Sequence, residues 1–332
     1  MSDSYQSWFL ADDFSGALEV GAILKQQGIP VDVVFDASLP KRDRVVVGFS
    51  SETRNAEPEE ARRQVEQVLA QAKASCLRFK KIDSTMRGPV GAELSAFVQA
   101  CPDRPVLFCP ANASVGREVR GGQLIVEGVP VSQSSFRDDP VWPITEDCIE
   151  KILTQTGGPE SCSITYVEGQ SALQERLRRA WENHPVAIVD SASEAELEDW
   201  VKAAHAVSPY YLPCGSGGLA RSLVASGALS DLLLETTVPE IENGNILFMI
   251  GSLHPKSREQ IRYIAETTEL PIEYVSLNNG ENYDSRINAL REKGSLILAT
   301  QFPSVAERLN FKEVHRHSLR LAVLVDELFS KG

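Results

Sequence analysis

Two neighbouring carboxylates, Asp12 and Asp13, end an apolar run and lead into Phe14, Ser15 and Gly16. Adjacent like charges cost stability unless something uses them. Asp13 could accept a hydroxyl proton or help hold a metal, while Ser15 reads as the cap of the following helix. The plainer alternative is that one aspartate is simply a cap, but a cap needs only one carboxylate. Arg54 lies just past RVVVGF, where its planar fork suits a carboxylate; a surface arginine on a loop is the competing reading. From Lys80 to Gly88 the chain packs Lys80, Lys81, Asp83, Ser84, Thr85 and Arg87 into nine positions. Lysines are uncommon at the end of a buried strand without an anionic partner, so the segment reads either as an anion pocket or as an internal salt-bridge cluster. A charge-assisted bond from Lys81 or Arg87 would contribute about 1.5–3 kcal/mol. Two glycine turns complete the set. Gly251-Ser252 precedes Pro255, a residue favoured at the first helical position, and would leave amides free for phosphate oxygens. Cys214-Gly215-Ser216-Gly217-Gly218 closes another strand. Neither turn is a Walker A sequence nor a G-x-G-x-x-G fingerprint, which argues against a nicotinamide-dependent oxidoreductase. Close helix–strand packing explains the glycines of the second turn equally well.

Each constellation follows a short apolar run. SWFLADD reads as a strand and SGALEVGAILKQQG as a helix stopped by Gly28. VDVVF, RVVVGF, LRFKKID and PVLFCP read as strands that are continuously apolar, as in a parallel sheet buried on both faces. EPEEARRQVEQVLAQAKA is a helix with acidic residues in its first turn. A polar, proline-studded stretch from Pro110 to Pro143 breaks the rhythm. VAIVDS, SEAELEDWVKAAHAV, YYLPCGS and GGLARSLVASG then resume it. The stretch Thr236 to Gly244 reads as a linker. Beyond it come the strand NILFMIGS, the helix PKSREQIRYIAETT, the strand SLILAT and a final helix, RHSLRLAVLVDELFSKG. The expectation is an α/β protein with two mainly parallel sheets, in domains 1–235 and 245–332.

Composition narrows the function. Thirty-three basic against 46 acidic residues give a net charge of −13, which disfavours a nucleic-acid or anionic-membrane surface. An anionic ligand then needs a local cationic pocket, because distant charge is screened within about 8 Å at physiological salt. No apolar run is long enough to span a bilayer, and the start lacks the pattern of a secretory signal, so a cytoplasmic location is expected. Six cysteines without C-x-x-C spacing read as small buried residues. His315 and His317, two apart on a helix, cannot share a metal from one face. No residues are assigned to a protein-held metal.

ADDFSGA, KKIDSTMRG with PVGAEL, PANASVGR followed by GVPV, CGSGGLA, and GS followed by SREQI occur here in that order. The ordered set resembles the four-carbon acid sugar kinases, from about Ser7 to about Ile261. The resemblance implies phosphorylation by ATP and Mg2+ of the 4-hydroxyl of a tetronate such as threonate, erythronate or 3-oxotetronate. It also implies an N-terminal sugar-acid domain, a C-terminal nucleotide domain and an active site in the cleft between them. By similarity, Asp13 would act at the reacting hydroxyl. Asp12, Arg54, Lys81, Asp83, Ser84, Arg87 and Arg117 would bind the sugar acid, Gly116 and Arg117 matching a glycine–arginine pair. Gly251 and Ser252, with Ser216 and Gly217, would meet the nucleotide. Ser15 and Ser257 stand where the family has threonine, and STMRG stands for STLRG. The family continues past a helix like the last one into a strand and a Gly-Gly-x-Thr turn. The sequence to Gly332 contains neither, so the C-terminal domain is expected to be incomplete, through natural abbreviation, truncation of the sequence or loss of catalysis. A binding or regulatory member without ATP turnover is the alternative, and a homodimer would fit either reading.

Overall fold

The computed structural model describes residues 7–34, 45–72, 76–232, 247–252, 255–268, 270–275 and 296–300. The chain divides into two compact units, Met1–Thr237 and Val238–Gly332.

The first unit opens with β1 (Trp8–Ala11), α1 (Phe14–Gln26), β2 (Val31–Val34), β3 (Val46–Ser50), α2 (Pro58–Gln71), β4 (Leu77–Lys81), α3 (Val90–Ala100) and β5 (Val106–Cys109). A small antiparallel sheet follows, made of β6 (Arg117–Arg120), β7 (Gln123–Val126) and β8 (Val129–Pro130). Alternation then resumes through α4 (Ile149–Gln155), β9 (Ser161–Ile164), α5 (Gln170–Asn183), β10 (Val186–Val189), α6 (Glu194–Val207), β11 (Leu212–Gly215) and α7 (Gly217–Ala225).

Eight strands form one sheet in the order β2-β3-β1-β4-β11-β5-β10-β9, and every neighbouring pair is parallel. β1, β5 and β10 are buried at every position, which is why their sequences are apolar without alternation. The helices pack in two series, α2–α3–α4 and α1–α7–α6–α5, as a sheet covered on both faces requires. Trp8, Phe9, Phe49, Phe97, Phe108 and Trp200 are among the largest fully buried side chains. Each such burial contributes about 1.5–3 kcal/mol. Helix α2 shows how directly pattern becomes structure. Pro58 sits at its start, Glu59 and Glu60 occupy the first turn, and Ala61, Val65 and Leu69 form the buried stripe.

The structure departs from the expected two sheets inside the proline-studded stretch. There β6 and β7 form a hairpin turned by Gly121 and Gly122, both at positive φ (58° and 71°). Asp190, at the carboxyl end of β10, accepts their amides at 2.7 and 2.8 Å. Isolated bridges Val119–Ser191 and Gln123–Cys148 complete the attachment.

The second unit contains β12 (Leu247–Ile250), α8 (Pro255–Thr267), β13 (Ile272–Val275) and β14 (Leu296–Thr300), with parallel strands in the order β12-β14-β13. Ile261, Ile297 and Ala299 form its buried core. The expected linker, the final helix and the pair His315 and His317 lie outside the described residues. Among the described residues, no helix is long and apolar enough to cross a membrane.

Candidate functional site

Ladder register brings the charged segments together. Ala11 pairs with Ser50 on one side and Lys81 on the other. Lys81 pairs with Gly215, and Gly215 with Cys109. The central five strands therefore end level, and Asp12, Ser51, Ile82, Ser216 and Pro110 share one carboxyl rim. The chain runs from β1 out to β2, back to β3 and then across to β4, so its order reverses at β1. Open α/β sheets collect ligands at such a point.

Arg54 is the hub of this rim. Its Nε and Nη2 donate to Asp12 Oδ2 and Oδ1 at 2.8 and 3.0 Å. Its Nη1 and Nη2 donate to Asp13 Oδ2 and Oδ1 at 2.5 and 2.9 Å. The backbone is tied as well, since the Thr53 and Arg54 amides donate to the Asp12 carbonyl at 2.9 and 3.1 Å. The expected fork is therefore closed on the protein's own carboxylates. Asp13 also caps α1, accepting the Gly16 amide at 2.7 Å; the cap is Asp13 and not Ser15. Two carboxylates are present because the cap needs one and the clamp uses both. Of the pair, Asp12 is 1% exposed and Asp13 22%, so Asp13 is the one a ligand can reach.

Asp83 extends the network. It accepts Arg87 Nε and Nη2 at 2.9 and 3.1 Å and the Thr85 hydroxyl at 2.5 Å, and lies 4.0 Å from Arg54 Nη2. Arg87 Nη1 reaches Asp139 at 3.2 Å. The loops stay close because Gly88 has φ +95°, and a Cβ there would stand 2.8 Å from the Arg54 carbonyl oxygen. Arg87 and Arg117 share the Phe136 ring, at 5.3 and 5.6 Å from its centroid. Arg117 also donates to the Val115 carbonyl. Ser84 is half-buried between Asp83 and Arg87.

The two lysines divide. Lys80 is buried against Glu93 at 2.6 Å and donates to the Lys81 carbonyl at 3.0 Å. Lys81 pairs with Glu19 at 3.1 Å. A Cβ on Gly16 would lie 3.1 Å from Lys81 Nζ and 2.7 Å from Asp13 Oδ1, which places the ammonium beside the first turn of α1. Ser216 caps α7 and is fully buried, donating to the Ala111 carbonyl at 2.6 Å and accepting the Gly218 amide at 3.1 Å. Gly217 touches the Glu19 carboxylate.

Burial raises the Asp13 carboxyl above its ordinary value, against the pull of Arg54, and the Asp12 charge adds to the rise. Burial would lift Asp83 too, but Arg87, joined by Arg54 and the Thr85 hydroxyl, holds it well below the carboxylate range. Arg54 and Arg87 are both held above their ordinary values by these aspartates, although burial opposes it. Glu93 does the same for the buried Lys80. The rim thus presents a basic, accessible carboxylate in a fixed orientation, bordered by guanidinium groups.

Sequence reasoning passed over Glu19, Glu93, Phe136 and Asp139. Glu93 had a signal, because it falls among the buried Val90, Leu94 and Phe97 of α3. In the second unit, Gly251 and Ser252 are exposed at the carboxyl end of β12, and the Ser257 hydroxyl donates to that of Ser252 at 2.9 Å.

Comparison with known proteins adds relatives. A family model described as the sugar-binding N-terminal domain matches residues 8–223. The chain is 27% identical over 258 residues to a D-threonate kinase of Salmonella typhimurium, covering 76% of this chain and 59% of that protein. It is 26% identical over 269 residues to a D-erythronate kinase of Heliobacterium modesticaldum, covering 77% and 59%. The chain thus spans about three fifths of the length of these relatives. A solved Salmonella typhimurium structure superposes with a TM-score of 0.72 at 20% identity, over 98% of this chain and 81% of that one, and shares the fold.

Proposed function

The chain belongs to the family of the sugar-binding N-terminal domain, and from that membership we propose that it is a four-carbon acid sugar kinase. Its first unit would bind a tetronate, and the terminal hydroxyl would be phosphorylated at the expense of ATP. The names of the threonate and erythronate kinases it resembles support the substrate class. The observation that carries the reading is the state of Asp13, the accessible member of a carboxylate pair, immobilised by Arg54 and made more basic by burial.

In this reading Asp13 accepts a hydrogen bond from the terminal hydroxyl of the sugar acid and takes its proton as the oxygen becomes a nucleophile. Arg54 holds the carboxylate so that its orientation costs nothing at the moment of reaction. Arg54 is committed to Asp12 and Asp13, and Arg87 to Asp83 and Asp139, so recognition of the substrate carboxylate falls first to Arg117, with Arg87 sharing the Phe136 ring beside it. Lys81 and Ser84 serve the remaining hydroxyls.

Gly251 and Ser252 fit a nucleotide phosphate in kind, being exposed and placed just before a 13-residue helix, with two hydroxyls close by. Ser216, by contrast, has its hydroxyl committed to its own helix. A bound magnesium nucleotide supplies the phosphoryl group and neutralises its charge. Among the described residues no three or more His, Cys, Asp or Glu side chains are grouped to hold a metal, so magnesium is proposed to travel on the nucleotide phosphates with its waters.

The test is ADP release by the purified protein with Mg-ATP and D-threonate, D-erythronate or 3-oxotetronate, alongside calorimetry of each tetronate. ADP release above the ATP-only background is expected for at least one acid. Binding without release would identify a non-catalytic acid-sugar receptor, and neither binding nor release would defeat the reading.

A further inference from the structure

The amino-terminal ends of the same strands carry charge of a different kind. Arg104 precedes β5, Tyr211 immediately precedes β11, and Arg78 is the second residue of β4. Leu212 pairs with Val106, so these positions share the rim opposite Asp13. With His205, near the end of α6, they line a cavity of about 520 Å3, within the size range of small-molecule sites.

The cations there are fixed in place. Arg104 Nε donates to the Tyr210 carbonyl at 2.6 Å, and its Nη2 donates to the Leu77 and Tyr211 carbonyls at 2.6 and 3.4 Å. Arg78 is held by the Ser7 hydroxyl and by Asp231, each at 3.1 Å. Burial lowers Arg104 to about 10, and the like charge of Arg78 contributes to the fall. Asp103 is the one carboxylate among the lining residues, against two arginines and His205. The rest of the wall is largely apolar, including Leu223 and Leu229, and Tyr211 stacks on Trp181 with centroids 6.2 Å apart. Tyr211 also buries a hydroxyl that has no hydrogen-bond partner among the described residues.

We propose that this cavity is a second binding site, for an organic anion with an apolar or aromatic body. Arg78 and Arg104 take the charged group, and Tyr211, Leu223 and Leu229 pack against the body. The proposal is independent of the kinase reading, because no residue of the acidic rim takes part in it.

Phenyl phosphate is a suitable probe, with inorganic phosphate lacking the body and benzyl alcohol lacking the charge. Calorimetry on the full chain is expected to show phenyl phosphate binding more tightly than either comparator. Arg78→Gln, at a side chain that is 42% exposed, should weaken it about tenfold, the scale of one charge-assisted hydrogen bond, with an unchanged melting temperature. Arg87→Ala should leave it unaltered. The proposal is overturned if phenyl phosphate does not bind, if benzyl alcohol binds equally well, or if affinity falls with Arg87→Ala and not with Arg78→Gln.

Discussion

Arg54 and Arg104 stand at opposite rims of one sheet, both half-buried, and their partners give them different work. Arg54 meets two carboxylates and lies 4.0 Å from a third. The hydrogen-bond partners named for Arg104 are carbonyl oxygens, and its neighbours include a second arginine. Carboxylates bind a guanidinium charge to charge, so Arg54 and its aspartates are oriented together. Carbonyls fix a guanidinium's position without pairing its charge. In the proposed readings one rim presents a carboxylate and the other presents cations.

The contrast can be broken most forcefully at its hub. Arg54→Leu strands Asp12 and Asp13 without their counter-charge and should cost about 3–5 kcal/mol of unfolding free energy, measured by urea denaturation. Arg104→Leu removes hydrogen bonds to carbonyls and should cost less, about 1–3 kcal/mol; equal or reversed losses would erase the distinction. Asp13→Asn sharpens the comparison from the side of function. Asparagine still caps α1, so stability should change by less than about 1 kcal/mol while turnover of a responsive tetronate falls about 10²–10⁴-fold. Near-normal turnover would remove Asp13 from the reaction.

The gentlest test uses pH. Asp83 has its folded-state pKa lowered, so the native state binds fewer protons there than the unfolded chain. Its stabilising contribution is present above about pH 4, the unfolded value, and is lost as acid approaches the lower folded value. Asp83→Asn should therefore flatten the acid limb of the stability curve. Arg104→Leu should leave the part of that limb due to Asp83 as it is, because Arg104 lies at the opposite rim of the sheet from Asp83.

Much of the first unit could be read from residue patterns, and the reasons are local. β1 and β5 are uninterrupted apolar runs and β3 is one up to its last residue, and α2 carries its proline, acids and buried stripe in the expected places. The gathering of Asp12, Asp13, Arg54, Asp83 and Arg87 was foreseeable because each follows a strand of a parallel sheet. What pairs with what was not. Register between β1 and β4 decides that Lys81 lies beside Asp13 and that Lys80 faces Glu93, both of them buried, and a one-residue shift would exchange them. Glu19 and Glu93 are contributed by helices, whose rotation about their axes a strand-end argument leaves undetermined. The antiparallel hairpin was missed because REVR and QLIV are short, although the Gly121-Gly122 pair between them is a recognised hairpin signal.

Asp190 illustrates how remote control of a binding surface can be built without any moving part. The strand bearing Arg117 reaches the rim through a hairpin whose turn is fastened by that one carboxylate, with the Val119–Ser191 and Gln123–Cys148 bridges beside it. The aim of an arginine at the mouth of the site is thus written partly in a residue more than seventy positions downstream. Any redesign of the rim around Arg117 would have to treat the two as a single heritable unit.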